Sequence, residues 1–170
     1  FAYENRAAML AKVKDIFGTY VSKFTGTEAH FSDEINCHHN YAALENHYGK
    51  NVFVHRKGAI SAREGEMGII PGSMGSYSYI VRGKGNPESF MSSSHGAGRL
   101  YSRTAAMQKF AVDTVINDLK ANNVVLGKNK KSDVAEESRF AYKDIDTVMS
   151  AQQELTEPVK RLFTIGVVKG

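Results

Sequence analysis

The chain carries a single cysteine, Cys37, and no Asn-x-Ser/Thr sequon. An internal disulfide is therefore excluded, and a reducing, cytoplasmic setting fits best. No apolar run is long enough to cross a bilayer as a helix, so no membrane partner is expected. The opening stretch, Phe1 to Phe24, is interrupted by Glu4, Arg6, Lys12, Lys14 and Asp15 and does not read as a secretory leader. Neither HExxH nor CxxC occurs, so the common zinc spacings are missing. Gly83-Lys84-Gly85-Asn86-Pro87 has the wrong spacing, and the wrong following residue, for a Walker A loop. There is no internal repeat and no low-complexity tract.

What is present is the composition of an ordinary folded protein. At 170 residues, 42% hydrophobic and 24% charged, the chain can build one domain with a sizeable core. Its net charge of +4 favours polyanionic partners without specifying one. Met9, Val13, Ile16, Phe17, Tyr20 and Phe24 recur at spacings of three and four, which predicts an amphipathic helix over 1–24. The chain enters this helix directly, with Phe1 in place of a methionine, as expected of a piece of something longer. Thr25 to Glu34 reads as a polar connector, and Asn36 to Tyr48 is crowded with polar side chains.

Short strands are expected at Val52-Phe53-Val54, Met67-Gly68-Ile69-Ile70 and Tyr79-Ile80-Val81, each bounded by turn residues. Ten of the fifteen glycines fall between Gly49 and Gly98, so backbone in this middle section either joins short strands or wraps a ligand. Helix returns over 100–122, with Phe110, Val115, Ile116 and Leu119 on one side, and again from Asp144 to Gln153, with Ile145, Val148 and Met149 inward. Between them, Asn122 to Arg139 reads as an exposed loop with Lys128, Lys130 and Lys131. Leu162 to Val168 reads as a buried strand. The class is α+β, with mixed short-stranded sheets and flanking helices.

The chemistry concentrates around Ser92-Ser93-Ser94-His95-Gly96-Ala97-Gly98-Arg99. Glycines let a bulky anion approach the backbone, arginine adds a fork that matches phosphate oxygens, and histidine can bond to phosphorus or give it a proton. A glycine turn leading into a helix is the plainer alternative. No acidic residue lies between Ser89 and Val112, whereas Arg99, Arg103 and Lys109 do. All six histidines fall between residues 30 and 95, which raises the prospect of a metal or catalytic site. His38 and His39 are adjacent, so only one of them can face a given metal in an extended segment. Arg56 and Lys57, beside Gly58, suit either a phosphate or a solvated turn. Pro71-Gly72-Ser73-Met74-Gly75-Ser76-Tyr77-Ser78-Tyr79 offers hydroxyls and amides to a nucleotide.

Several long strings, taken in order, resemble the C-terminal portion of the RtcB family of RNA-splicing ligases. They are His39-Asn40-Tyr41-Ala42, His55-Arg56-Lys57-Gly58-Ala59, Pro71-Gly72-Ser73-Met74-Gly75, Ser78-Tyr79-Ile80-Val81, Ser94-His95-Gly96-Ala97-Gly98-Arg99, Ser102-Arg103, Ala141-Tyr142-Lys143-Asp144-Ile145 and Lys169-Gly170. The resemblance covers essentially the whole chain, and implies that residues 1–170 are the C-terminal portion of one RtcB-like catalytic domain.

It further implies a GTP- and manganese-dependent ligase that joins RNA ending in a 3′-phosphate or 2′,3′-cyclic phosphate to RNA with a 5′-hydroxyl, in tRNA splicing or RNA repair. His95 matches the histidine that takes GMP, and His39 a manganese (Mn2+) ligand. Asn40 resembles a contact to the GTP phosphates. Pro71, Gly72, Ser73, Met74 and Ser78 resemble the nucleotide loop, and Gly96, Ala97 and Gly98 the ribose and phosphate cradle. Tyr142 and Lys169 resemble residues that bind guanine. Lys57, Arg99 and Arg103 are matched to phosphates of nucleotide or RNA. The sequence departs from the family pattern in lacking the Asp-x-x-Cys motif and two further histidine motifs that hold most of the manganese. The upstream part of the same ligase is therefore expected to complete the metal site. A metal-dependent phosphohydrolase and a non-catalytic RNA- or nucleotide-binding module are the alternative functions.

Overall fold

The computed structural model describes residues 1–128 and 133–168. Lys169, Lys130 and Lys131 thus lie outside the described residues. Contacts divide the chain into two units, Phe1–His38 and His39–Gly170.

The first unit is helix α1 (Ala2–Thr25), close to the predicted 1–24, and a segment that returns along it. Gly26, at φ 70°, ends the helix and donates its N–H to the Ser22 carbonyl, the left-handed cap that glycine adopts without a Cβ penalty. The returning segment is pinned by contacts of successive turns. Phe31 meets Phe17 edge-on, Glu34 pairs with Lys14 at 3.4 Å, Asn36 accepts from the Arg6 guanidinium, and the His38 ring stacks on Tyr3 at 4.7 Å. The apolar stripe exists, but no residue of the helix is buried.

The second unit opens with the hairpin β1 (Asn40–His47) and β2 (Lys50–Lys57). Its two-residue turn, Tyr48-Gly49, has positive φ at both positions, as a type I′ turn requires. Strand β1 was hidden by its polarity: Glu45 and His47 point inward at alternate positions and are buried. Next, β3 (Ala59–Ser61) pairs with β6 (Ser92–Ser94), and β4 (Met67–Ile70), β5 (Ser78–Gly83) and β8 (Thr156–Leu162) form an antiparallel sheet. The predicted strands at 52–54, 67–70 and 79–81 all fall inside these elements.

The helix expected over 100–122 is broken in two, α2 (Arg103–Lys109) and α3 (Val112–Ala121). Phe110 adopts extended backbone at the break, where its ring meets Tyr101 at 5.6 Å and Phe140 at 5.7 Å. Ring packing overrides a continuous helical pattern there. Val115 and Leu119 of α3 join Met74, Val124, Val134 and Ala135 in the core, with Phe110 and Ile116 against it. Among the described residues of 122–139 the exposed-loop reading is corrected: Val125–Gly127 forms strand β7, and a 3₁₀ turn at Val134–Glu137 buries Val134 and Ala135. Helix α4 (Ile145–Ala151), capped by the Asp144 carboxylate at Thr147 N–H, matches its expectation. The final segment corrects the buried-strand reading. β8 stops at Leu162, Phe163 and Ile165 are exposed, and β9 (Gly166–Val168) pairs with β7 in parallel.

Candidate functional site

The open end of the β1–β2 hairpin gathers the histidine strings. Asn40 and Lys57 are its last register pair, and both are exposed. Beyond them Gly58 donates its N–H to the His39 carbonyl at 3.0 Å and accepts from the His95 N–H at 3.4 Å. Gly58 sits at φ +75°, and a Cβ there would lie 3.4 Å from His95 Cε1. The imidazoles of His39 and His95 stack with centroids 5.4 Å apart and planes 14° apart. A second fastening comes from the residue that ends α4, Gln152, whose Oε1 accepts the Ser94 N–H at 3.1 Å. Strand pairing, a glycine turn and a buried glutamine therefore hold one half-buried histidine against an exposed one.

The glycines after His95 lie against the serine loop. Ala97 donates its N–H to the Pro71 carbonyl at 3.1 Å, and a Cβ on Gly96 would meet that same oxygen at 3.1 Å. Gly72 donates to Ser78 Oγ at 3.2 Å, and a Cβ on it would lie 2.1 Å from the Tyr77 carbonyl oxygen. Ser73 and Ser76 share a hydroxyl hydrogen bond at 3.1 Å. The Met74 side chain is buried in the core, so it anchors the loop from beneath. Gly98, at φ +75°, has open space where a side chain would be. Gly98 therefore leaves room for a nucleotide lying close to the backbone, whereas the protein's own carbonyls fill the side-chain space of Gly72 and Gly96.

Arg99 and Tyr142 form the third part. Their backbones pair as an isolated antiparallel bridge. The Arg99 guanidinium donates to the Tyr142 hydroxyl at 2.6 Å, to the Tyr101 carbonyl at 3.0 Å, to Glu137 at 3.4 Å and to the Glu136 carbonyl. Tyr142 in turn donates to Glu137 Oε2 at 2.7 Å. Burial and this bond to a carboxylate push the Tyr142 phenol up to about 12. Arg103 stands exposed in the first turn of α2, whose cap is the Ser102 hydroxyl accepting from Ala105 N–H.

Arg56 is not the phosphate-facing cation that its sequence position beside Lys57 suggested. It points to the inner face of the hairpin, 1% exposed, and donates to Glu45 at 2.6 and 3.1 Å, to Tyr41 Oη, to Ser92 Oγ and to the Phe90 carbonyl. The Arg56 hydrogen bond, against the opposing effect of burial, holds the Glu45 carboxyl down to about 2, with His47 adding a second bond at 2.9 Å. Glu45 and Gln152 were missed as positioning residues. In the register Glu45 faces Val52 and Arg56 faces Tyr41, so their pairing runs diagonally across the hairpin and no local pattern signals it, nor does one signal Gln152.

Among the described residues no three His, Cys, Asp or Glu side chains converge as a metal site. His39 can supply one nitrogen, so these residues alone do not fit a complete manganese site. No helix among the described residues is long and apolar enough to cross a membrane.

The sequence profile of the family described as tRNA-splicing ligase RtcB matches residues 1–170. The RNA-splicing ligase RtcB of Escherichia coli strain K12 is 47% identical over 171 residues, covering 100% of this chain and 41% of that protein. The tRNA-splicing ligase RtcB of Thermococcus kodakarensis is 36% identical over 191 residues, covering 100% of this chain and 39% of its own length. That of Methanopyrus kandleri is 39% identical over 156 residues, covering 78% of this chain and 16% of its own length. The chain thus spans about two-fifths or less of the length of these curated relatives. A match that reaches every residue leads to one conclusion: the chain belongs to the tRNA-splicing ligase RtcB family.

Proposed function

We propose that this chain supplies the nucleotide-binding and covalently modified part of a cytoplasmic RNA ligase. The ligase uses GTP to join RNA ending in a 3′-phosphate or 2′,3′-cyclic phosphate to a 5′-hydroxyl end. Relatives named RNA-splicing and tRNA-splicing ligases support the reaction class. The observation that carries the assignment to a residue is the fastening of His95 through Gly58, and of its neighbour Ser94 through Gln152, beside the open backbone of Gly98.

In this reading a ring nitrogen of neutral His95 forms a bond to the α-phosphorus of GTP, and pyrophosphate leaves. The RNA 3′-phosphate then takes the GMP from His95, and the incoming 5′-hydroxyl displaces it to complete the new phosphodiester. Gly96, Ala97 and Gly98 cradle ribose and phosphate, Pro71, Gly72, Ser73, Met74 and Ser78 bound the nucleoside, and Tyr142 and Lys169 recognise guanine. Asn40, Lys57 and Arg103 meet phosphates. Arg99 joins them by exchanging its longest contact, the 3.4 Å one to Glu137, for a phosphate oxygen. His39 would hold one position on manganese through a ring nitrogen.

The test is incubation with α-labelled GTP and manganese of a polypeptide that joins this chain to the family's upstream metal motifs. Acid-labile label on His95, absent from His95→Ala with the fold intact, is expected. Label retained in that variant would remove His95 as the nucleophile, and free phosphate without any adduct would favour a phosphohydrolase.

A further inference from the structure

The register pairs Asn40–Lys57, Ala42–His55, Leu44–Phe53 and Asn46–Asn51 place eight side chains on one face of the β1–β2 hairpin. That face is open: Leu44 is 61% and Phe53 70% exposed, while Glu45 and Arg56 occupy the opposite, buried side. None of the eight is acidic, and the one carboxylate of β1, Glu45, is turned inward onto Arg56. A recess of about 490 Å³ beside β2 is lined by Phe53, His55, Ser89 and Phe90. The face ends at Lys57, one residue from Gly58, whose carbonyl accepts from His95.

We infer that this face is the track for the single-stranded RNA whose 3′ end reaches His95, with bases stacking on Phe53 and His55. The inference rests on the ligase reading above and adds to it where the strand lies. Successive pairs on one face of a strand recur about every 6.8 Å, close to the reach of one extended nucleotide. An aromatic ring gives a platform that any base can use, whereas charge of one sign follows the backbone. Asparagines at both ends of the face offer amides to base edges. Only Ala42, Leu44 and Phe53 are apolar, too few for the desolvated centre of a protein interface.

The experiment measures affinity of the chain for a short single-stranded RNA with a 3′-phosphate, by fluorescence anisotropy, with circular dichroism as the control for folding. Phe53→Ala should weaken binding roughly five- to a hundredfold, Phe53→Trp should retain it, and Phe163→Ala, at another exposed ring, should leave it unchanged. 4-Thiouridine placed a few nucleotides from the 3′ end should crosslink to the peptide carrying Phe53 and His55. If the chain binds RNA and Phe53→Ala binds equally well, the track is overturned while the ligase reading stands. If Phe53→Ala alters self-association and not RNA affinity, the face is a protein contact and the track is likewise overturned. If the unaltered chain binds no RNA, the track is overturned, while the ligase reading is decided by the GMP adduct on the longer polypeptide.

Discussion

Glu137 accepts the phenolic hydrogen of Tyr142 at 2.7 Å, and Arg99 donates to the other side of the same hydroxyl at 2.6 Å. Tyrosine, carboxylate and guanidinium therefore form one unit at the edge of the His95 region. Near-ultraviolet titration should show Tyr142 ionising close to its value of about 12, above ordinary tyrosines near ~10. Its raised value contributes stability that is complete below about pH 10 and is lost as pH rises through about 12. Glu137→Gln should move the titration down toward the ordinary range. Identical titration of Tyr142 in both proteins would break the link.

Acid should loosen the hairpin at Glu45. Its carboxyl is lowered from 4.5 to about 2, so its stabilising contribution is present above 4.5 and is lost as pH falls through 2. The size is at most about 3 kcal/mol. Denaturant unfolding between pH 5 and 2 should therefore show a steeper loss for the native chain than for Glu45→Gln. Arg56→Met, which leaves the buried Glu45 carboxylate only Arg63 at 3.1 Å and His47 at 2.9 Å, should cost about 1.5–3 kcal/mol at neutral pH. A neutral-pH cost under 1 kcal/mol would mean that the pair behaves as a surface ion pair.

Gly72 and Gly98 differ in what they tolerate. Gly72→Ala would drive a Cβ to 2.1 Å from the Tyr77 carbonyl oxygen, backbone that cannot swing aside. A loss of about 3 kcal/mol or more is expected in thermal or denaturant unfolding. Gly98→Ala meets no atom within 4 Å and carries only the strain of φ +75°, about 1–2 kcal/mol. The reverse order of stabilities would mean that the serine loop packs differently.

Manganese should bind this chain weakly. One imidazole, His39, has no third converging donor among the described residues, and manganese is held only loosely by nitrogen donors. Calorimetry should show shallow uptake that falls further in His39→Ala. A tight, saturable site indifferent to His39 would contradict this arrangement.

Features encoded within a short window were legible from the residues. The α1 and α4 periodicities, the strands at 67–70 and 79–81 and the glycine-flanked His95 all depend on neighbours close in the chain. Tertiary structure decided what depends on distant partners. Arg56 and Lys57 look alike side by side in sequence, yet strand alternation sends one inward to Glu45 and leaves the other exposed. Val134 and Ala135 sit in a charged stretch that predicts a loop, but the core around Met74 and Leu119 takes them in. The stacking of His39 on His95 is of the same kind. No local pattern joins them, and the hydrogen bonds of Gly58 and the β3–β6 pairing bring them together. Local periodicity sets which elements form, because helix and turn energies come from nearby residues. The site arises only when long-range pairing closes the loops between them.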